Sequence, residues 1–212
     1  TLERINASDA VGNYLYIEKD SEGNYVDSRT NELIDLGFKT EFEVISANSD
    51  TTAPEFNSLE LSKDIINVTD GDETFNLSVS LTDDISGFIG NSWNQSYNSY
   101  INLQWSSPSG DQYVFADMGA YMYQYMNQSE YQDSEWQDII INVDDNNISF
   151  ENIEVTIPQY SEPGTWTLER INASDAIGNH LSIYRDHEGN YVDNRTYELI
   201  DLGFKTEFEV IN

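Results

Sequence analysis

The sequence predicts an all-β chain folded as an antiparallel β-sandwich, and three observations predict it. Apolar and polar residues alternate with a period of two in several runs. Polar, glycine-bearing turns separate those runs at short spacing. No segment carries the period of roughly 3.6 that an amphipathic helix needs. The organisation follows from a duplication. Thr1–Ser46 and Thr167–Asn212 align without a gap at an offset of 166, with nine differences among 46 positions and therefore 37 identities. This predicts a tandem repeat with a unit of about 166 residues: 1–46 as the C-terminal strands of a preceding repeat, 47–55 as a linker, and 56–212 as one complete repeat. Solenoid and propeller repeats run to roughly 20–50 residues, so a unit of this length should bury its own core.

Taken in order, the linker "SANSDTTAPEF" (Ser46–Phe56) is small, polar and closed by proline. Phe75, Leu77, Val79 and Leu81 alternate with Asn76, Ser78, Ser80 and Thr82, which is the pattern of a half-buried strand. Ile101, Leu103 and Trp105 repeat it, as do Ile153, Val155 and Ile157. In Trp166–Ala173 the parity slips: Trp166 and Leu168 are in phase, then Ile171 and Ala173. That predicts a β-bulge near Arg170. Phe204, Thr206, Phe208 and Val210 share one face of a last predicted strand. The turns are "VTDGDET" (Val68–Thr74), "SPSGD" (Ser107–Asp111) and "YSEPGTW" (Tyr160–Trp166), with "DSEGN" (Asp20–Asn24) and "DHEGN" (Asp186–Asn190) as hairpin tips.

Composition excludes several functions. Thirty-nine Asp and Glu against nine Lys and Arg give a formal charge of −30, which repels nucleic acid and anionic membrane surfaces. Acidic chains of low aromatic content are often disordered, but here aromatics reach 13% and the strand patterns are clear. There is no cysteine, hence no disulfide and no thiolate chemistry. No apolar run approaches the ~20 residues that cross a bilayer, so membrane insertion is not expected. An enzyme is not expected either. The two histidines, His180 and His187, are Tyr14 and Ser21 in the other copy, and no nucleophile elbow, phosphate loop or zinc-protease helix motif is present.

Three phrases stand together: "DTTAP" (Asp50–Pro54), "LTDDISGF" (Leu81–Phe88) and "GTWTLERINASDAIGN" (Gly164–Asn179). In these the chain resembles the immunoglobulin-like (Ig-like) repeat modules of large calcium-dependent surface and secreted proteins of bacteria. The resemblance spans about 47–212, and 1–46 matches only the C-terminal third of a module. It implies an Ig-like β-sandwich on an extracellular or bacterial cell-surface protein, with a structural or adhesive role and with neighbouring repeats as partners. Such domains run to about 100 residues. The excess here lies in Gly110–Trp136 and in the hairpin after Asn179, which the resemblance does not cover.

In an Ig-like sandwich the loops after the second and sixth strands emerge at one pole. With Phe75–Leu81 and Trp166–Ser174 in those places, "DDISG" and "DAIGN" bring Asp83, Asp84 and Asp175 together, with Asn179 beside them. Like charges a few ångströms apart cost about 1 kcal/mol per pair in water and several times more when partly buried. A hard divalent cation reverses that sign. Ca²⁺, which accepts about six to eight oxygens in flexible geometry, suits the site better than Mg²⁺. The competing explanation is that each Asp merely accepts backbone hydrogen bonds in a local turn. The EF-hand-like strings Asp20–Asp27 and Asp186–Asp193 put glycine at the wrong position for a calcium loop and are expected to be hairpin turns. A second function rests on the aromatic segment 110–136. Tyr113, Tyr121, Tyr123, Tyr125 and Trp136 would stack on a cell-surface glycan or meet a protein there.

Overall fold

The computed structural model describes residues 1–9, 11, 13–41, 43, 49–88, 99–119, 139–144 and 146–212. Among these all regular structure is strand, most of it in antiparallel sheets. Among the described residues no helix is long and apolar enough to cross a membrane. The chain divides into two compact units, Thr1–Ser49 and Asp50–Asn212.

The first unit is a three-stranded antiparallel sheet of β1 (Arg4–Ser8), β2 (Tyr14–Lys19) and β3 (Tyr25–Asp27) in that order. Asp20 Oδ1 turns the β2–β3 hairpin by accepting from the N–H groups of Glu22 (2.9 Å) and Asn24 (2.8 Å). Gly23 takes φ +87° there, a left-handed conformation that glycine adopts at no steric cost.

The second unit contains β4 (Glu55–Leu61), β5 (Ile65–Asn67), β6 (Glu73–Thr82), β7 (Tyr100–Ser106), β8 (Tyr113–Gly119), β9 (Ile140–Val143) and β10 (Asn147–Ile157). These are followed by β11 (Gly164–Ser174), β12 (His180–Arg185), β13 (Tyr191–Asp193), β14 (Leu199–Ile200) and β15 (Glu207–Ile211). One sheet has the order β4-β6-β10-β9. The other is built around β11. Its one edge pairs with β7, which carries β8. Its other edge is shared between β15, beside Gly164–Thr167, and β12, beside Arg170–Ser174. β5 joins β15 in parallel, and β13 and β14 extend the sheet beyond β12.

The two sheets share one apolar core. Phe75, Leu77, Val79 and Leu81 of β6 are buried, as their alternation predicts, and so are Leu103, Trp105, Trp166, Leu168 and Phe208 of the facing sheet. The Phe75 ring lies 5.0 Å from that of Phe208, and Trp166 stacks on Phe208 at 6.1 Å. Burying each large apolar side chain contributes about 1.5–3 kcal/mol. The two indole N–H groups are satisfied, Trp105 by the carbonyl of Thr206 (3.2 Å) and Trp166 by that of Glu162 (2.9 Å).

The β7–β11 register shifts between Leu168 and Arg170, at the bulge that the parity slip predicts. The extra residue lets both Leu168 and Ile171 point into the core. The last predicted strand is shorter than its pattern: β15 begins at Glu207, not at Phe204. Gly203, at φ +68°, turns the chain just before it, and its N–H donates to Asp201 Oδ1 at 3.1 Å. Phe204 still packs on Phe56, 5.5 Å between ring centroids.

Candidate cation site

The loops after β6 and β11 meet, since the Ala176 N–H donates to the Gly87 carbonyl at 2.9 Å. Asp83 stands at the centre of this pole and is only 6% exposed. Its Oδ2 accepts from the N–H groups of Ile85 (3.3 Å) and Gly87 (2.6 Å) and from the Ser86 hydroxyl (3.3 Å). Its Oδ1 is buried without a hydrogen-bond partner. A buried polar atom left unmatched costs about 1–3 kcal/mol, and more if charged.

Three carboxylates gather here. One ligand oxygen from each of Asp50, Asp83 and Asp84 lies within 4.8 Å of the other two. Asp50 arrives from the segment before β4. Its Oδ1 accepts from the Thr52 N–H at 3.0 Å and its Oδ2 from the Ser86 N–H at 3.0 Å. The Thr52 hydroxyl lies 2.9 Å from Asp50 Oδ1 and 2.6 Å from Asp84 Oδ1. A hydroxyl has one proton to donate, so it cannot serve both acceptors at once. Among the described ion pairs none involves these three carboxylates.

The acids respond differently to this setting. Burial pushes the Asp83 carboxyl above its usual range, and the charges of Asp50 and Asp175 add to that against the lowering effect of the Gly87 N–H. Burial pushes Asp50 up as well, but hydrogen bonds from Ser86 and Thr52 outweigh it and leave Asp50 below the usual range.

Asp175 and Asn179 are placed as neighbours of this cluster. Asp175 is fully buried. Its Oδ1 accepts from the N–H groups of Ile177 (2.9 Å), Gly178 (2.7 Å) and Asn179 (2.8 Å), and its Oδ2 accepts from Asn179 Nδ2 (2.6 Å). The hairpin tip at Asp186–Asn190 is built in the same way, with Asp186 Oδ1 accepting from Glu188 and Asn190 at 2.9 Å each. Asp175 thus spends its oxygens on its own turn, and Asp50 completes the acidic group instead. "DTTAP" holds Asp50, but as a linker it gave no sign that the carboxylate folds back onto the β6 loop.

Of the aromatic segment, Tyr113 and Phe115 are described. They lie on β8, about half exposed, on the side opposite the buried Val114, Ala116 and Met118. Tyr121, Tyr123, Tyr125 and Trp136 lie outside the described residues. No known protein family, no curated protein and no solved structure matches this chain.

Proposed function

We propose that this chain is a calcium-stabilised structural or adhesive module with an Ig-like β-sandwich, working as one unit of a tandem array in a bacterial extracellular protein. The observation that carries the reading is Asp83: a buried carboxylate with an unpartnered oxygen, facing Asp50 and Asp84. Asp50, Asp83 and Asp84 would be ligands, and Asp175, held by Asn179, would add negative charge from the adjoining loop. Three hard oxygen donors suit Ca²⁺, whose coordination geometry is flexible. The sheet orders support the fold assignment: β4-β6-β10-β9 and β8-β7-β11-β15 are compatible with the ABED and C′CFG orders of an Ig domain, with β12, β13 and β14 as additions on the β11 edge. The tandem array is supported by the duplication. β1 and β2 pair in the same register as β11 and β12, residue for residue at the offset of 166. Glycan or protein binding by segment 110–136 is the second reading, favoured by the outward exposure of Tyr113 and Phe115.

Thermal unfolding in EDTA, in Ca²⁺ and in Mg²⁺ at equal ionic strength tests the main reading. Calcium at a hundred times its Kd stabilises the folded form by about 2.7 kcal/mol. For a unit of this size that is a rise of roughly 5–10 °C. The rise should be absent in Asp83→Asn. Equal, small shifts with both ions would sink the proposal.

A further inference from the structure

The outer face of the β11 sheet, on the side away from the core, carries a polar groove of about 660 Å³. This is within the range of about 300–1,000 Å³ that small-molecule sites occupy. Its lining includes Gln104 and Ser106 of β7, Glu169 and Arg170 of β11, and Ser182 and Tyr184 of β12.

The internal duplication shows how this face has been rebuilt. On one side of β2 and β12 two residues are the same in both copies, Leu15 matching Leu181 and Ile17 matching Ile183, and Lys19 is replaced only by Arg185. All three outward positions differ: Tyr14 becomes His180, Tyr16 becomes Ser182 and Glu18 becomes Tyr184. In the first copy the Arg4 guanidinium sits 5.2 Å from the centre of the Tyr16 ring. In the second copy Ser182 removes that ring, and the corresponding Arg170 faces the groove with no carboxylate partner among the described ion pairs. A second guanidinium, that of Arg185, also lines the groove and lies 3.6 Å from Glu169.

Charge gives the groove its chemistry. In a chain of net charge −30 with only nine Lys and Arg, this groove holds two arginines and one acid, Glu169. Its own lining side chains thus carry a net positive charge, while three further acids, Glu162, Glu209 and Glu207, accept from its Ser109, Thr165 and Thr167 hydroxyls. A free guanidinium presents a planar fork of donors that matches a carboxylate. The Ser106 hydroxyl donates to Glu169 Oε1 at 3.1 Å, which fixes that carboxylate as an acceptor for ligand hydroxyls. Tyr184 and Tyr113 add aromatic surface for the C–H face of a sugar ring.

We infer that the groove binds a carboxylate-bearing oligosaccharide, with the sugar carboxylate on Arg170 and its hydroxyls on Glu169, Gln104 and Ser182. This goes beyond the cation reading and does not depend on it. The test is isothermal titration of the full chain, in calcium, with trigalacturonate and with the neutral trimer maltotriose. Two variants accompany it: Arg170→Gln, and the double change Ser182→Tyr with Tyr184→Glu. The double variant installs residues that the first copy already carries on the same hairpin, so folding should be retained, and an unchanged unfolding temperature would verify it. The expected result is at least a tenfold preference for the uronate trimer, lost in both variants. No binding of the uronate trimer, equal binding of maltotriose, or binding unaltered by the variants would overturn the inference.

Discussion

At the scale of single residues, Asp83 gives the stability of the second unit a pH dependence opposite in sign to that of its neighbour Asp50. The folded-state carboxyl of Asp83 is held above the ordinary value of 3.8, chiefly by burial. The folded chain therefore keeps this proton to higher pH than the unfolded chain does. Stability falls as pH rises from the ordinary value through the raised one, and is level beyond it. Asp27 does the opposite. Hydrogen bonds from Arg29 hold it at about 2, so its stabilisation is present above the ordinary value and fades as pH falls towards 2. Because such opposing groups overlap, the measurement is a difference: urea unfolding of wild type and of Asp83→Asn in EDTA, from pH 4 upward. The amide of the variant can donate towards Asp50 where the carboxylate can only repel it. Wild type should lose ground to the variant as pH rises, and added calcium should reverse the order. Parallel curves at every pH would show that Asp83 is not titrating in this range.

At the scale of elements, one hairpin sequence occurs in two settings and should answer one mutation in two ways. Ile171 of β11 is wholly buried in the shared core, whereas its counterpart Ile5 of β1 is half-buried in a three-stranded sheet. Ile171→Ala should cost about 2–5 kcal/mol, and Ile5→Ala less than about 1 kcal/mol. Urea unfolding of the two variants decides it, and equal losses would mean that the two copies are equally well packed. Gly164, at the head of β11, is a second such point. It takes φ +121°, and a Cβ there would lie 2.8 Å from Pro108 Cγ. Gly164→Ala should therefore lower the unfolding temperature of the second unit by several degrees, roughly as 1–3 kcal/mol of strain would. Elements of this kind were legible in the sequence wherever one face meets the core. β6 and β7 stand where their alternation predicts, and even the bulge beside Arg170 left its mark as a slip of parity. Phe204 misled, because the turn at Gly203 breaks the strand while leaving the apolar rhythm intact. In the site, Asp83 and Asp84 could be read from their loop, but Asp50 could not. Its place depends on a short segment folding back against Ser86, and no periodicity records a contact made by a single loop residue.

At the scale of the whole molecule, a charge of −30 makes two effects of added ions easy to confuse. Any salt screens the mutual repulsion of the surface carboxylates. The Debye length falls from about 30 Å at 0.01 M to about 3 Å at 1 M, so sodium chloride alone should raise the unfolding temperature in EDTA. A cation held among Asp50, Asp83 and Asp84 acts differently, because Asp83 is buried and its field is little screened by bulk salt. Calcium titrations at low salt and at 1 M sodium chloride separate the two. At low salt, Ca²⁺ and Mg²⁺ should share a common screening gain, with a further gain for Ca²⁺. At 1 M salt the common gain should vanish, and the calcium-specific gain should survive in wild type and be missing in Asp83→Asn. If the calcium gain also disappears at 1 M, the acids act only as a diffuse surface charge, and the pole at Asp83 is not a binding site.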